Sequence, residues 1–236
     1  MFEVQAGAAL TELTLDDPAR RNALGSDDLE EFREIVEAID TPVTYVSGSG
    51  SAFCAGADLD EVGDLNELRA RVFARAGQRA FRAIERSNSV FVAGIDGPAR
   101  GGGVELALAC DLRVATPEAS FAEPGVQLGI FGAWGGTIRL PRVVGAGNAL
   151  DLSLSGRAID AEEALRMGLI SQIVEDPETV AVDLTEFPAD ALMEIKHRVR
   201  DDDPYDTQAS EEAAAFGRLL DVHARDIRSN RAGKES

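Results

Sequence analysis

Two glycine-rich loops, each directly after a short apolar strand, constrain the fold of this sequence more than any other feature. Each loop is followed by a segment with helical spacing of its apolar residues. This repetition of strand, glycine loop and helix predicts an α/β architecture built from stacked ββα-like units. The segments are strand 43–46, loop 47–58 and helix 64–86, followed by strand 90–95, turn 97–103 and helix 103–110.

The first of these helices, 64–86, has an apolar stripe that is expected to face the core. From about residue 188 onward the pattern predicts helices only, at 189–200 and 209–228. We therefore expect a core over residues 1–180 and a helical region over residues 181–236. The inward positions expected for helix 64–86 are Leu65, Leu68, Val72, Ala76, Ala80 and Ile84.

The chain is strongly acidic, with 42 Asp and Glu against 23 Lys and Arg and a formal charge of −19. Such a surface repels phosphate, which argues against nucleic acid or an anionic membrane as a main partner. Only Lys196 and Lys234 are lysines. An acidic, lysine-poor surface favours a salt-rich cytoplasm, because salt screens the repulsion among carboxylates. The alternative is an acidic protein from a GC-rich mesophile.

Other features indicate a soluble cytoplasmic chain. The N-terminus lacks the basic and then apolar layout of a signal peptide. No apolar run approaches the roughly 18 residues that a membrane span requires. Cys54 and Cys110 lie in apolar segments and are predicted to be reduced, buried thiols.

The sequence lacks the residues that several kinds of functional site require. His197 and His223 both fall in the C-terminal helical region, so a serine or cysteine hydrolase would have no base near a nucleophile. The sequence has no cluster of metal ligands and no Walker or Rossmann fingerprint after a strand. We therefore expect no metal site.

The two glycine loops can instead provide backbone N–H groups as hydrogen-bond donors. Donors from two loops can converge on an oxygen that gains charge, which is the requirement of an oxyanion hole. The turn Gly101–Gly103 also begins a helix, whose N-terminus attracts an anion. Glu105, in the first turn, is then a candidate proton shuttle or water activator. The alternative is that these glycines only permit tight packing and Glu105 only caps the helix.

Five longer motifs follow one another along nearly the whole chain. They are DPARRNAL (17–24), GSGSAFCAGADL (48–59), GPARGGGVELALACDLRVA (97–115), WGGTIRLPRVVG (134–145) and SGRAIDAEEALRMGLISQIVE (155–175). In this order and spacing they resemble the crotonase superfamily, also called the enoyl-coenzyme A hydratase/isomerase family. The resemblance implies a spiral of ββα units and a C-terminal helical trimerisation region, with trimers that often pair into hexamers. It also implies acyl-coenzyme A substrates and no separate cofactor, since coenzyme A is part of the substrate.

The resemblance also implies roles for individual residues. The backbone N–H groups of Ala57 and Gly102 would form the oxyanion hole. Arginines at 20 and 21 suit the anionic end of coenzyme A, and Lys234 or Arg231 could reach one of its phosphates. The residues implied to line the coenzyme A channel are Arg21, Ala23, Ala55, Asp58 and Leu59.

Hydratases of this family use two glutamates. Glu105 matches the first, but the position of the second is Gly125, which cannot transfer a proton. Glu123 lies two residues earlier and would share a face with position 125 in an extended segment, although Pro124 disturbs that geometry. Glu123 is therefore either a substitute for the second glutamate or a surface or structural residue.

Three functions stay open at this point. The first is hydration of a 2-enoyl-coenzyme A, with Glu105 as the acid/base group. The second is decarboxylation of a short malonyl-type thioester, which needs fewer proton shuttles because it forms an enolate directly. The third is a non-catalytic acyl-coenzyme A-binding oligomer. Trp134, just before GGT, either restricts the acyl pocket or is a core aromatic residue.

Overall fold

Two β-sheets and the helices around them form the first part of the chain. A computed structural model describes residues 1–232, with side chains described as far as residue 228. The described strands are β1 (Phe2–Ala6), β2 (Leu10–Leu15), β3 (Val43–Gly48), β4 (Val90–Ile95), β5 (Pro98–Arg100), β6 (Leu112–Ala115), β7 (Ser120–Ala122), β8 (Ala158–Asp160) and β9 (Gln172–Ile173).

Helices connect the strands and then continue to the C-terminal end of the described chain. The α-helices are α1 (Ser26–Ala38), α2 (Leu59–Gly63), α3 (Glu67–Arg86), α4 (Gly102–Ala109), α5 (Gly136–Ser155), α6 (Ala161–Met167), α7 (Glu178–Leu184), α8 (Ala189–Arg200) and α9 (Tyr205–Ala232). Short 3-10 helices occur at Pro18–Arg20 and Pro124–Leu128.

The larger sheet has the order β1-β2-β3-β4-β6-β9, and the smaller sheet has the order β5-β7-β8. Within the larger sheet all pairs are parallel except β1 with β2. Every residue of β4 is buried, because a parallel sheet is covered on both faces. This explains why its sequence is a continuous apolar run rather than an alternating one.

The chain winds as a spiral that visits the two sheets in turn. After β4 in the larger sheet it forms β5 in the smaller sheet and then α4, and after β6 it forms β7 and then α5. The preceding turn of the spiral begins at β3 and ends in α3. Between them, Cys54 forms a parallel β-bridge with Ala99 of β5. The predicted α/β spiral of ββα units is confirmed.

Helix α3 differs from its prediction in its start and its buried face. It begins at Glu67, where the Asn66 side chain accepts a hydrogen bond from the Arg69 N–H and caps the helix. Leu68 and Val72, expected to be inward, are 72% and 59% exposed. The prediction for these two side chains is wrong, because the helix is buried only from Phe73 onward, where the predicted Ala76, Ala80 and Ile84 are inward. The buried residues of α3 are Phe73, Ala76, Gly77, Ala80, Phe81 and Ile84.

Contacts divide the chain into two compact units, with the division after Glu186. In the second unit, α8 packs on α9. The trimer or hexamer that the resemblance implies stays a prediction, as does the oligomerising role of this region. None of the described helices is long and apolar enough to cross a membrane.

Candidate active site

Asn22 holds the first glycine-rich loop in place. Its buried side-chain amide donates to the carbonyls of Ser49, Ala52 and Phe53 at 3.0, 2.9 and 3.2 Å. Its φ is 59°, a left-handed conformation that asparagine tolerates. Asn22 is not predictable as a site residue from the sequence, where its only signal is that asparagine favours turns.

Residues 21–24 lie beside residues 55–58 and form a short parallel pairing. The N–H of Ala55 donates to the Arg21 carbonyl at 2.9 Å, and the N–H of Leu24 donates to the Gly56 carbonyl at 2.8 Å. The predicted channel residues of the two segments are thus brought together. From the second segment this pairing uses the N–H groups of Ala55 and Asp58 but not the N–H of Ala57.

The two glycine loops touch where Gly56 meets Gly102. A β-carbon on Gly56 would lie 2.8 Å from the Gly102 nitrogen and 2.4 Å from the Arg100 oxygen, and the φ of Gly56 is 90°. Only glycine allows this approach. Gly102 is the first residue of α4, so its N–H has no acceptor within the helix. In the described part of the chain, the N–H groups of Ala57 and Gly102 have no protein acceptor.

Glu105 is buried one turn into α4, with 1% of its surface exposed. Its Oε1 accepts hydrogen bonds from the backbone N–H groups of Trp134 at 2.8 Å and Gly136 at 2.6 Å. Gly136 begins α5, so the carboxylate does not cap its own helix but meets the N-terminus of the next one. Its side chain is therefore held rigidly near the two loops.

Burial is the main influence on the ionisation of Glu105. It raises the pKa of the carboxyl to about 7, although hydrogen bonds from Gly136 and Trp134 and the charge of Arg139 act to lower it. A carboxyl with this pKa changes its charge near neutral pH. That is the range in which a general base works best.

Glu123 is a second buried carboxyl group beside Glu105. It is 6% exposed, and its Oε1 has no hydrogen-bond partner among the described residues. Glu123 Oε2 and Glu105 Oε1 each lie 3.0 Å from the position that a β-carbon on Gly132 would take, so these oxygens are at most 6.0 Å apart. Burial and the neighbouring Glu105 raise the pKa of Glu123 to about 9. The alternative of a surface glutamate is wrong.

Trp134 is a core aromatic residue that packs beneath the start of α4. Its indole is 3% exposed and contacts the rings of Phe73 and Phe81, with centroids 5.3 and 5.6 Å away. It lies between Gly77 and Gly102, where an added β-carbon would come within 2.2 and 2.3 Å of it. The indole therefore fixes the position of Gly102, while its backbone N–H holds Glu105.

The residues predicted to bind coenzyme A differ in whether they already have protein partners. Arg20 forms ion pairs with two carboxylates, Asp17 at 2.7 Å and Asp58 at 2.8 Å. Arg21 is exposed and forms no ion pair with any described residue, and Leu59 is 58% exposed. Ala23 is buried, whereas Ala55, Ala57 and Asp58 are half-buried. Lys234 and the side chain of Arg231 lie outside the described residues. The part of the chain that is described holds no cluster of three or more metal-binding side chains.

Comparison with known proteins agrees with this geometry. A sequence model described as enoyl-CoA hydratase/isomerase matches residues 5–201. The chain is 41% identical over 174 residues to the crotonyl-CoA hydratase of Syntrophomonas wolfei, covering 72% of this chain and 67% of that protein. It is 34% identical over 215 residues to the short-chain-enoyl-CoA hydratase of Clostridium acetobutylicum, covering 89% and 79%.

A solved structure gives the same result for the fold. The crystal structure of the enoyl-CoA hydratase from Bacillus anthracis matches with a TM-score of 0.89 and 31% identity, covering 99% of this chain and 96% of that one. The family assignment thus rests on matches of sequence and of fold. The chain belongs to the enoyl-CoA hydratase/isomerase family, the crotonase superfamily that its five motifs predict.

Proposed function

We propose that this enzyme adds water across the double bond of a short 2-enoyl-coenzyme A. The observation that carries the proposal is the meeting of two unpartnered N–H groups, on Ala57 and Gly102, with the buried Glu105 carboxyl. The relatives from Syntrophomonas wolfei and Clostridium acetobutylicum are named as hydratases of crotonyl- and short-chain enoyl-CoA. They support both the reaction and the chain length.

The oxyanion hole stabilises the charge that forms during addition. When water attacks the β-carbon, electrons move to the thioester oxygen and create an enolate. The N–H groups of Ala57 and Gly102 donate to that oxygen, and the N-terminus of α4 adds a positive potential. These donors need no rearrangement during the reaction, because the contact between Gly56 and Gly102 fixes the two loops.

Glu105 acts as the base toward water in this mechanism. Its ionised carboxylate accepts a proton from the attacking water, so that hydroxide-like oxygen forms the new bond to the β-carbon. The hydrogen bonds from Trp134 and Gly136 engage one oxygen, Oε1, and orient the carboxylate. No separate cofactor takes part, since coenzyme A is carried by the substrate.

The coenzyme A chain is proposed to pass between the segments that contain Arg21 and Ala55. Arg21 is the cation best placed for an anionic phosphate, because Arg20 is already paired with Asp17 and Asp58. Ala23 and Ala55 are small and leave room for the extended pantetheine chain. Asp58 and Leu59 would line the entrance beside them.

The two alternative functions are less well supported. A malonyl-type substrate would bring its own carboxylate toward the ionised carboxylate of Glu105, and these like charges repel. A non-catalytic binding protein would have no use for Glu123, a buried carboxyl with an unpartnered oxygen. Both observations favour hydration.

A panel of thioesters tests the proposed function directly. The purified protein is incubated with enoyl-, 3-hydroxyacyl- and malonyl-type coenzyme A thioesters in dilute and in molar salt, and the products are measured by mass. Hydration adds the mass of one water to the enoyl thioester, and we expect this product. Loss of carbon dioxide from the malonyl thioester, with no hydration, would instead establish the decarboxylase.

We also propose that this enzyme works in a salt-rich cytoplasm, on the basis of its charge of −19 and its two lysines. At about 1 M salt the Debye length is roughly 3 Å, which screens the repulsion among surface carboxylates. We expect the free energy of unfolding to rise between dilute buffer and molar KCl, measured by urea denaturation. Stability that is unchanged or lower in KCl would instead favour the acidic mesophilic protein.

A further inference from the structure

We propose that Glu123 is the second acid/base group of this enzyme and delivers a proton to the α-carbon of the thioester. This inference rests on the hydration proposed above, because water addition needs a proton donor for that carbon. Glu105 cannot supply both steps at once, since it takes a proton from water on attack. The chain must therefore provide another group beside Glu105.

The backbone places Glu123 directly beside the oxyanion hole. β5 and β7 are parallel neighbours with Arg100 opposite Ala122, and the Gly101 N–H donates to the Ala122 carbonyl at 2.9 Å. Glu123 follows Ala122, just as Gly101 follows Arg100. The sheet thus holds the Glu123 backbone next to the residue that precedes Gly102.

The side chain of Glu123 is directed into the same space as that of Glu105. The two carboxyls approach Gly132 from different places, the residue just after β7 and helix α4, and each has an oxygen 3.0 Å from a β-carbon position on Gly132. A cavity of about 10 Å³, enough for about one water molecule, is lined by Glu123, Phe131, Gly132 and Gly136 among others. Two of these lining residues also contact Glu105, since its Oε1 accepts from the Gly136 N–H and lies 3.0 Å from the β-carbon position on Gly132.

Gly125, where the resemblance leads one to expect the second glutamate, has little room for a side chain. A β-carbon there would lie 3.0 Å from the Ile130 oxygen and 3.0 Å from the Phe131 Cα. The segment containing Ile130 and Phe131 thus takes the space into which a side chain at 125 would project. The second carboxyl reaches the site from position 123 instead.

The proton balance of the reaction then closes. Glu105 removes one proton from water while the oxygen bonds to the β-carbon, and neutral Glu123 gives its proton to the α-carbon. The product gains one hydroxyl and one hydrogen, and the proton left on Glu105 returns to Glu123 through water or the product hydroxyl. Burial and the charge of Glu105 raise the pKa of Glu123, which keeps it neutral and able to donate.

The test compares Glu123→Gln with Glu118→Gln, an exposed glutamate five residues earlier as a matched control. Glu123→Gln is expected to lower kcat for hydration at least about 100-fold with little change in KM, while Glu118→Gln keeps the wild-type rate. The melting temperature of Glu123→Gln should stay near the wild-type value, because glutamine has nearly the same shape and no hydrogen bond to Oε1 is lost. A variant that hydrates as fast as Glu118→Gln would overturn the proposal.

A second readout separates Glu123 from Glu105 without water addition. In deuterium oxide, a saturated thioester such as butyryl-coenzyme A can only exchange its α-proton. Exchange begins when ionised Glu123 takes that proton, so it is measured at pH values up to and above about 9, where Glu123 is ionised. We expect exchange to persist in Glu105→Gln and to be lost in Glu123→Gln. The reverse pattern, or loss of folding with loss of kcat in Glu123→Gln, would refute the assignment. A wild-type protein that hydrates no enoyl thioester would refute the proposed function itself.

Discussion

Replacing Glu105 with glutamine is expected to lower kcat for enoyl-coenzyme A hydration by about 10²–10⁴-fold, the usual contribution of a general base. The amide cannot accept a proton from water. It can still accept hydrogen bonds from the N–H groups of Trp134 and Gly136 through its oxygen, so the connection between α4 and α5 is kept. The fold and the oxyanion hole should therefore survive the change.

The effect of Glu105→Gln is measured as kcat and KM for a short 2-enoyl-coenzyme A, together with the affinity for the product. We expect a fall in kcat and a nearly unchanged affinity, because the glutamate is not needed to bind coenzyme A. Glu118→Gln again serves as the exposed control. A Glu105→Gln enzyme with wild-type kcat would remove Glu105 from the mechanism.

Replacing Gly102 with alanine is expected to damage both stability and activity. The new methyl group would lie 2.3 Å from the Trp134 indole and 3.2 Å from the Gly56 Cα. The indole cannot retreat easily, since Gly77 and the rings of Phe73 and Phe81 pack against it. Such overpacking costs about 1–3 kcal/mol.

The activity loss in Gly102→Ala comes from movement of its N–H. Loss of one oxyanion donor lowers kcat by about 10²–10³-fold. Trp134 is the only tryptophan in the sequence, so its fluorescence follows unfolding in urea while hydration is assayed separately. Gly147→Ala is the control, since a β-carbon at that helical position meets no atom within 4 Å. Wild-type kcat in Gly102→Ala would argue against an oxyanion hole at this nitrogen.

Local patterns in the sequence predict the strands, the glycine loops and the spiral, because apolar runs and glycine positions are properties of short segments. β4 illustrates this, since its run of apolar residues, broken only by Gly94, can only form a buried strand or helix segment, and Gly97 follows two residues after its end. The buried face of α3 is predicted only in part. Ala76, Ala80 and Ile84 are buried as their spacing predicts. Leu68 and Val72 share that spacing but are exposed, because neighbours distant in sequence, such as Trp134 against Gly77, cover only part of the helix.

The residues of the candidate site also differ in how far the sequence predicts them. Glu105 and Gly102 are predictable from the sequence, because they lie three positions apart at the start of one helix and their relative placement follows from helix geometry. The position of Glu123 depends on the register of β7 with β5 and on the segment around Gly132, which come from different parts of the chain. The role of Asn22 cannot be predicted from local sequence for the same reason, since its three carbonyl partners lie 27 to 31 residues away.

The pH dependence of kcat/KM for hydration tests the central claim, that two buried carboxyls with separated pKa values add water. Glu105 must be ionised, so the rate should rise as pH passes about 7. Glu123 must be protonated, so the rate should fall as pH passes about 9. The two limbs belong to the coupled pair, and Glu123→Gln should abolish the alkaline one. A rate that stays constant across both limbs, or an alkaline fall that persists in Glu123→Gln, would contradict the account.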